Sequence, residues 1–295
     1  MEIRVLRYFL AVAREQTITG AAESLYVTQP TLSRQLMELE DELGKKLFIR
    51  GKKKITLTEE GMILRKRVEE IMELLDKTRA EVSTMNETIN GDIYIGGAET
   101  ESIRYIAKIV KKLQEQYPEI IFHFTSGNAE EVSERLDAGL FDFAIVIEPA
   151  DMAKYDFARL PGTDIWGLLM RKDSPLAQKD TITPADLLDI PIIIADQAMV
   201  ENEISGWMGS GDFGKLNIVA TYNLLFNASL LVEEGVGYAL CIDKIIKTTG
   251  KNSLLCFKPL EPKMEVGLNI AWKKYQVFTK AAKKFIEQIQ LESLT

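Results

Sequence analysis

The segment from Thr28 to Gly44 constrains the fold of this chain most, because it carries signals for both ends of a short helix. Thr28 has a side chain that can cap a helix N-terminus, Pro30 lies in the first turn where its missing amide costs least, and Gly44 allows the helix to stop. The leucines of this helix recur on one face, within about 60° of one another at 100° per residue. They are Leu32, Leu36, Leu39 and Leu43. That face is predicted to be buried.

Two shorter helical patterns precede this helix. The first begins near Ile3 and ends in the polar stretch at residues 14–17, and the second is predicted to begin with Thr19 as its N-cap and to end at Leu25. The pair Ala21-Ala22 is small enough for another helix to approach closely. Short helices with a brief turn before the last of them are typical of a DNA-binding helix-turn-helix.

The outward side of the third helix sorts its polar residues along the axis. Its first half carries hydroxyl groups and Arg34, whereas acidic residues such as Glu38 and Asp41 follow toward the C-terminus. Because carboxylates repel phosphate, the helix is predicted to enter a DNA major groove by its N-terminal half. A purely structural helix hairpin would not need this sorting.

Charge is distributed unevenly along the chain. The net charge of the whole chain is −8, but residues 1–58 carry 10 Lys and Arg against 7 Asp and Glu. Two short β patterns at residues 47–49 and 55–57 enclose a basic, glycine-containing turn, which predicts a hairpin wing along the DNA backbone. Its lysines are Lys52, Lys53 and Lys54. A solvated basic loop is the alternative explanation of this charge run.

These segments together resemble one protein family, the LysR-type transcriptional regulators, in its winged helix-turn-helix. The matching stretches are Ala21-Ala22, Thr28-Gln29-Pro30-Thr31-Leu32-Ser33, Leu39-Glu40-Asp41-Glu42-Leu43-Gly44, Leu47-Phe48-Ile49-Arg50 and Leu57-Thr58-Glu59-Glu60-Gly61. The resemblance implies DNA contacts from Gln29, Pro30, Thr31, Ser33, Arg34 and Arg50. Contacts from the wing lysines Lys52, Lys53 and Lys54 are predicted from charge alone.

A long helix is predicted from Glu59 to Ile89, because this stretch lacks proline and contains no glycine except Gly61. Apolar residues recur along it at alternating spacings of four and three, which is typical of a coiled-coil seam. The seam residues are Leu64, Val68, Ile71, Leu75, Val82 and Met85. The alternative is an amphipathic helix packed on its own domain. The resemblance implies a linker helix that pairs protomers.

From Gly91 onward, short apolar strands alternate with helices, which predicts parallel α/β architecture. The last strand and helix could complete either part of this region by composition alone. The resemblance assigns them to the first part, giving a two-lobed effector domain similar to periplasmic binding proteins. The predicted protein is therefore α/β with an N-terminal all-α winged helix-turn-helix. Its divisions are a head at 1–58, a linker helix at 59–89, lobe I at 90–162 and 266–295, and lobe II at 163–265.

Ligands of open α/β sheets bind beyond the carboxyl ends of the strands, where helix N-termini offer free amides. The candidate effector-binding residues are Thr100, Ser102, Ser126, Asn128, Glu148, Asp196, Tyr222 and Asn223. Their convergence on one cleft rests on the resemblance, and Thr100, Asn128 and Asn223 are equally good helix caps. Thr100 and Ser102 suit a carboxylate ligand, but nearby acidic residues favour a neutral or cationic one if they face inward.

No sequence motif points to catalysis, to a metal or to a cofactor. Phosphate-loop, dinucleotide and zinc-protease patterns are missing, and His123 is the lone histidine, inside a strand. Cys241 and Cys256 lie in apolar strands, which favours structural over redox-active thiols. The sequence predicts a cytoplasmic, non-enzymatic homodimer or homotetramer that binds dyad-symmetric double-stranded DNA and a small effector, with RNA polymerase as a candidate partner and no membrane association. The alternative is a solute-binding or catalytic α/β module carrying a DNA-docking head.

Overall fold

The computed structural model describes residues 1–51, 54–83, 88–148, 150, 152–196, 198–209, 212–250 and 253–293. Contacts between Cα atoms divide the chain into two compact units, Met1–Val82 and Ser83–Thr295. The first unit is called the head and the second the effector unit. This division leaves most of the predicted linker helix with the head, rather than in a separate segment.

The head contains helices followed by a small hairpin and a long helix. In chain order they are α1 (Ile3–Glu15), α2 (Ile18–Ser24), α3 (Gln29–Leu43), β1 (Phe48–Arg50), β2 (Ile55–Leu57) and α4 (Glu59–Ser83). The strands β1 and β2 pair antiparallel, with Phe48 opposite Leu57, and form the predicted wing.

The ends of α2 and α3 follow from their capping residues. The hydroxyl of Thr28 accepts a hydrogen bond from the Thr31 amide, and Gly44 has a left-handed φ of 64°, as predicted for α3. The prediction for α2 was wrong: Thr17, not Thr19, is its N-cap, and the Thr17 hydroxyl accepts from the Gly20 amide at 3.1 Å. The backbone of Thr17 is extended, so the helix begins before Thr19.

The core of the head lies between α1, α2, α3 and one end of α4. It is built from buried side chains that include Phe9, Val12, Ala21, Ala22, Leu32, Leu36 and Leu39. The predicted buried face of α3 is therefore correct for its first three leucines. Leu43 is 40% exposed, because it lies in the last turn, where Gly44 ends the helix.

The beginning of α4 packs into this same core, which corrects part of the predicted seam. Val68 is completely buried in the head, and Leu64 is partly buried against it. These two residues therefore contact their own chain instead of an exposed seam. The seam prediction at Met85 lies outside the described residues. Ile89, predicted as the end of the helix, lies outside any helix and packs against the core of the effector unit.

The effector unit alternates strands and helices. In chain order they are β3 (Gly91–Gly97), α5 (Ile103–Gln116), β4 (Ile120–Ser126), α6 (Ala129–Asp137), β5 (Phe143–Ile147), β6 (Tyr155–Arg159), β7 (Asp164–Arg171), α7 (Pro184–Leu187), β8 (Pro191–Ala195), α8 (Ala198–Met208), β9 (Asn217–Tyr222), α9 (Leu225–Glu233), β10 (Tyr238–Ile242), β11 (Leu255–Pro259), β12 (Glu265–Val266), β13 (Leu268–Lys273) and α10 (Lys280–Ser293).

These strands form two sheets, which confirms the predicted two-lobed α/β organisation. Lobe I has the strand order β4-β3-β5-β13-β6, and lobe II has the order β11-β7-β10-β8-β9 with β12 also paired to β7. The strand β13 pairs antiparallel with β5 and β6, so the chain returns to lobe I at its end. Phe285 of α10 lies in the same buried cluster as Ile93 and Phe143.

The two crossings between the lobes meet at Glu148. Its carboxylate accepts from Asn269 Nδ2 at 2.9 Å and pairs with Arg159 Nη2 at 3.4 Å. Its backbone amide donates to the carbonyl of Gly267, and a Cβ at position 267 would lie only 2.3 Å from the Glu148 carboxylate. Glu148, predicted to bind the effector, thus holds the chain segments that connect the lobes.

Candidate functional site

The N-terminal half of α3 presents polar side chains away from the head's core. Gln29, Pro30, Thr31 and Arg34 are exposed, and Ser33 is half-buried. The Thr28 and Thr31 hydroxyls lie 2.8 Å apart. Arg34 Nε lies 3.6 Å from a Glu38 carboxylate oxygen, with both side chains mostly exposed. Such a weak surface pair leaves the guanidinium able to exchange partners.

The wing follows directly from this helix, and Glu40 joins the two. The Glu40 side chain is buried and accepts from the amide of Leu47 at 2.8 Å and from Lys46 Nζ at 2.8 Å. Burial alone raises the pKa of Glu40, but hydrogen bonds from Lys46 and from the Leu47 and Phe48 amides outweigh it and hold the pKa below its usual value. The sequence analysis assigned Glu40 no such role.

The predicted phosphate contacts of the wing are described only in part. Lys54 is exposed, and its carbonyl accepts from the Gly51 amide at 3.0 Å, which closes the turn. Arg50 lies in β1, but its side chain, like Lys52 and Lys53, falls outside the described part of the chain.

Tyr26 is a feature of the turn between α2 and α3 that the sequence analysis missed. Its side chain is 98% exposed, and its φ of 53° lies in the left-handed region. The only sequence signal is an aromatic residue at a position where a helix ending favours glycine or asparagine.

In the effector unit, a cavity of about 90 Å³ lies between the lobes and is mostly apolar. Of the predicted effector-binding residues, Tyr222 and Asn223 line it, together with Glu99 and Trp166. The Tyr222 hydroxyl donates to the Leu240 carbonyl at 2.8 Å, and burial raises the pKa of that phenol. Asn223 Oδ1 accepts from the Leu224 amide at 2.9 Å.

Thr100 and Ser126 line a second, more open cavity of about 340 Å³. The Thr100 hydroxyl donates to the carboxyl of buried Asp164 at 2.5 Å and accepts from the Ser102 amide at 3.1 Å. Burial raises the pKa of Asp164, and the nearby charge of Asp243 raises it further against the opposing effect of the Thr100 hydrogen bond.

The remaining predicted effector-binding residues line neither cavity. Asn128 acts as the N-cap of α6, accepting from the Glu131 amide at 2.8 Å, as the capping alternative proposed. Ser102 makes no side-chain cap for α5, and Asp196 is exposed. Glu148 holds the chain segments that connect the lobes, as described above.

The surroundings of the two cysteines and of His123 do not favour redox or nucleophilic chemistry. Cys241 is buried, and burial raises the pKa of its thiol well above the usual value. Burial also raises the pKa of Cys256. His123 Nε2 lies 2.7 Å from an Asp92 carboxylate oxygen, and its ring stacks on Tyr94. Within the described ranges, no cluster of three or more side chains could hold a metal ion.

Two family descriptions together match most of the chain. Residues 3–62 match "Bacterial regulatory helix-turn-helix protein, lysR family", and residues 86–292 match "LysR substrate binding domain". This chain belongs to the LysR family. It is a transcriptional regulator with a DNA-binding helix-turn-helix and an effector-binding domain. Among the described residues, no helix combines the length and apolar character that a membrane span needs.

Other LysR-family proteins resemble this chain over most of their length. The HTH-type transcriptional regulator BsdA of Bacillus subtilis (strain 168) is 35% identical over 196 residues, 66% of this chain and 67% of that protein. The DNA-binding transcriptional dual regulator OxyR of Escherichia coli (strain K12) is 28% identical over 276 residues, 91% of this chain and 88% of OxyR. Full-length CbnR, crystallised with its target DNA, shares the fold with a TM-score of 0.75 and 19% identity, over 99% of this chain and 100% of that one.

Proposed function

We propose that this LysR-family regulator reads base edges in the DNA major groove with the N-terminal half of α3. The observation that carries the proposal is the division of that helix: Leu32 and Leu36 are buried in the head, while the polar residues between them are exposed or half-buried. The proposed base-facing residues are Gln29, Pro30, Thr31, Ser33 and Arg34. Arg50, Lys52, Lys53 and Lys54 of the wing would contact phosphates.

Tyr26 extends this proposed interface. It lies three residues before Gln29, the first residue of α3, and is almost completely exposed, so its ring is available to a DNA backbone beside the groove. A phenol hydroxyl can donate to a phosphate oxygen, as tyrosines do in many protein–DNA interfaces.

The protein is further proposed to act as a homodimer or homotetramer on dyad-symmetric sites, because α4 carries a second apolar stripe that its own head leaves open. The stripe consists of Ile63, Ile71, Leu74 and Val82, each 38–66% exposed. Pairing of two such stripes would place two heads on one DNA duplex, as two-fold regulators require.

The effector is proposed to bind between the lobes and to act on their relative arrangement, without being turned over. The cleft carries contacts that join both lobes, such as Thr100 with Asp164, and the curated relatives reported above are named as transcriptional regulators. A cytoplasmic location and contact with RNA polymerase belong to the same proposal. Turnover of a bound ligand would instead favour a catalytic module that carries a DNA-docking head.

Footprinting of the purified full chain on genomic DNA tests the proposal. Arg34→Ala is expected to weaken specific binding by about 1–3 kcal/mol if Arg34 contacts guanine in a bidentate manner. Lys54→Ala should weaken binding to cognate and random DNA alike. Arg14→Ala is the control, since this exposed side chain pairs with Glu15 at the end of α1. Absence of any protected site would refute the proposed function.

A further inference from the structure

The cavity between the lobes has largely apolar walls and one acidic side chain among the described residues that line it. Its walls consist largely of aliphatic side chains, including Val132, Ile147 and Val200. Among the described residues that line it, Glu99 is the only one with a charged side chain. A cavity of this kind binds the apolar part of a ligand by removing it from water, and none of these described lining residues is basic and able to pair with an anion.

Glu99 already occupies the helix N-terminus at which an anionic ligand would be stabilised most. Its carboxylate accepts from the Leu225 amide at 3.1 Å, at the first residue of α9. Carboxylates are favoured at helix N-termini, so the protein itself already complements this helix end. A second carboxylate placed in the cavity would meet the charge of Glu99 at short range in partly dehydrated surroundings, where like charges repel strongly.

At the start of α5, where the sequence suggested a carboxylate site, the polar groups also form hydrogen bonds and an ion pair within the chain. The Ser102 amide donates to the Thr100 hydroxyl, and the Arg104 amide donates to the Glu101 carbonyl at 3.0 Å. The Glu101 carboxylate in turn pairs with the Arg104 guanidinium. An anion would have to displace these contacts, so neither helix start facing the cleft favours one.

Trp166 supplies a hydrogen-bond donor at the cavity wall. The residue lies in β7, lines the cavity and is only 6% exposed. Its indole Nε1 has no hydrogen-bond partner among the described residues. A buried donor without a partner costs free energy that a ligand acceptor can recover. The hydroxyl of Tyr222, which also lines the cavity, already donates to the Leu240 carbonyl.

We propose that this cavity binds a small uncharged molecule with an apolar body and one hydrogen-bond acceptor, which Trp166 recognises while Glu99 rejects carboxylates. This inference rests on the proposed function, in which the same cleft receives the effector. The cavity is about 90 Å³. Since a cavity of roughly 150 Å³ holds benzene, the part of the ligand inside it is no larger than a benzene ring.

Calorimetric titration of the full chain with matched probes tests the ligand class. Propionamide, propionate and propylamine have the same carbon chain and differ in charge. Propionamide is expected to bind in roughly the millimolar range that ligands of this size reach, with propionate about tenfold weaker or more. Equal or tighter binding of propionate, binding of propylamine alone, or binding of none of the three would overturn the proposal.

Two substitutions assign the selectivity to its residues. Trp166→Phe is expected to weaken propionamide about tenfold, because one hydrogen bond to a buried donor is lost. Trp207→Phe is the control, since Trp207 Nε1 donates to the Pro262 carbonyl and Trp207 does not line the cavity. Glu99→Gln keeps an acceptor for the Leu225 amide and should bring propionate toward the affinity of propionamide, whereas exposed Glu130→Gln should not.

The same preparations separate this inference from the proposed function. If the wild-type chain protects a DNA site but binds propionate best, the ligand class is wrong and the regulator proposal stands. If propionamide binding follows the expected pattern but no DNA site is protected, the regulator proposal fails and the ligand site stands. Unchanged propionamide affinity in Trp166→Phe would overturn the role of the indole.

Discussion

At the scale of single residues, Tyr26 has a backbone conformation that costs free energy for any side chain with a Cβ. Its φ is 53°, and the Val27 amide donates to the Ala22 carbonyl, which is the hydrogen bond of a helix ending that usually contains glycine. The exposed ring makes little packing that offsets this cost. The contribution of Tyr26 to folding does not explain why an aromatic residue stands at this position, whereas a contact with DNA would explain it.

Tyr26→Gly should therefore change stability and DNA affinity in opposite directions. The free energy of unfolding is expected to rise by about 1 kcal/mol, because glycine adopts the left-handed conformation without steric cost. DNA affinity should fall, and Tyr26→Phe should share the loss if the hydroxyl binds a phosphate. Urea unfolding and gel shifts measure the two effects. A stabilised variant with unchanged DNA affinity would exclude Tyr26 from the interface.

Glu40 shows how one buried carboxylate can join two elements of the head. It satisfies the amides of Leu47 and Phe48, which enter β1, and it pairs with Lys46. Without it, these amides would lose their acceptor. Because the pKa of Glu40 is lower in the folded chain than in the unfolded chain, its contribution to stability is present above the unfolded pKa and is lost as pH falls through the folded pKa.

Glu40→Gln is expected to loosen the connection between α3 and the wing. The change keeps one acceptor oxygen but removes the charge that Lys46 and the amides stabilise, so local stability should fall by about 1–3 kcal/mol. Hydrogen exchange at the amides of Leu47 and Phe48 reports this directly. The exposed neighbour Asp41→Asn is the control. Equal protection in both variants would show that the Glu40 charge is dispensable.

At the scale of elements, α4 shows why a correct periodic pattern can still assign a face wrongly. The repeat predicted one seam, but the apolar side chains of the helix cover a broader surface, of which the head buries only a part. Val68 is buried and Leu64 is partly buried in the head, whereas Ile63 and Leu74 remain exposed on an adjacent face. Periodicity identifies which residues are apolar, but only the position of the head determines which of them its own core covers.

Leu74→Asp should dissociate the proposed dimer while the head stays folded. Leu74 lies in the exposed stripe, so the change places a charge where two copies of α4 would meet, without entering the head's core. Met62→Asp is the matched control, because Met62 is 56% exposed on α4 but points about 150° away from the stripe at 100° per residue. Sedimentation measures the outcome. A dimeric Leu74→Asp protein would place the interface elsewhere.

The elements of the fold could be predicted further than the contacts of the candidate site. Helix ends with strong signals, such as Thr28 and Gly44 of α3, were correct, since these caps act locally. Thr100 and Glu148 were recognised as polar residues after strands, yet both are bound to other parts of the chain. Glu99 was recognised only as an acidic neighbour of Thr100, and Trp166 was not assigned to the site, because the position of both in the cavity depends on how the lobes face each other.

At the scale of the whole molecule, a buried carboxyl group forms a contact between the two lobes where the chain enters lobe II. Asp164 is almost completely buried, accepts from Thr100 of lobe I and lies near the charge of Asp243. The Asp243 carboxylate also accepts from the Ile165 amide at 2.9 Å and pairs with Lys244. An ionised Asp164 is therefore costly in this position, although the hydrogen bond from Thr100 offsets part of that cost.

Asp164→Asn should stabilise the effector unit at neutral pH. The effect should be largest at those pH values at which the wild-type carboxyl is ionised. Burial raises the pKa of Asp164 in the folded chain above its unfolded value of about 3.9. Its favourable contribution is thus complete below the unfolded pKa and is lost as pH rises through the folded pKa. The stability difference between Asp164→Asn and wild type should be small near about pH 4 and grow toward neutral pH. Thermal unfolding across this pH range measures the stability difference, and Asp156→Asn, at an exposed position, is the control. A difference that does not vary with pH would show that Asp164 titrates alike in the folded and unfolded chain.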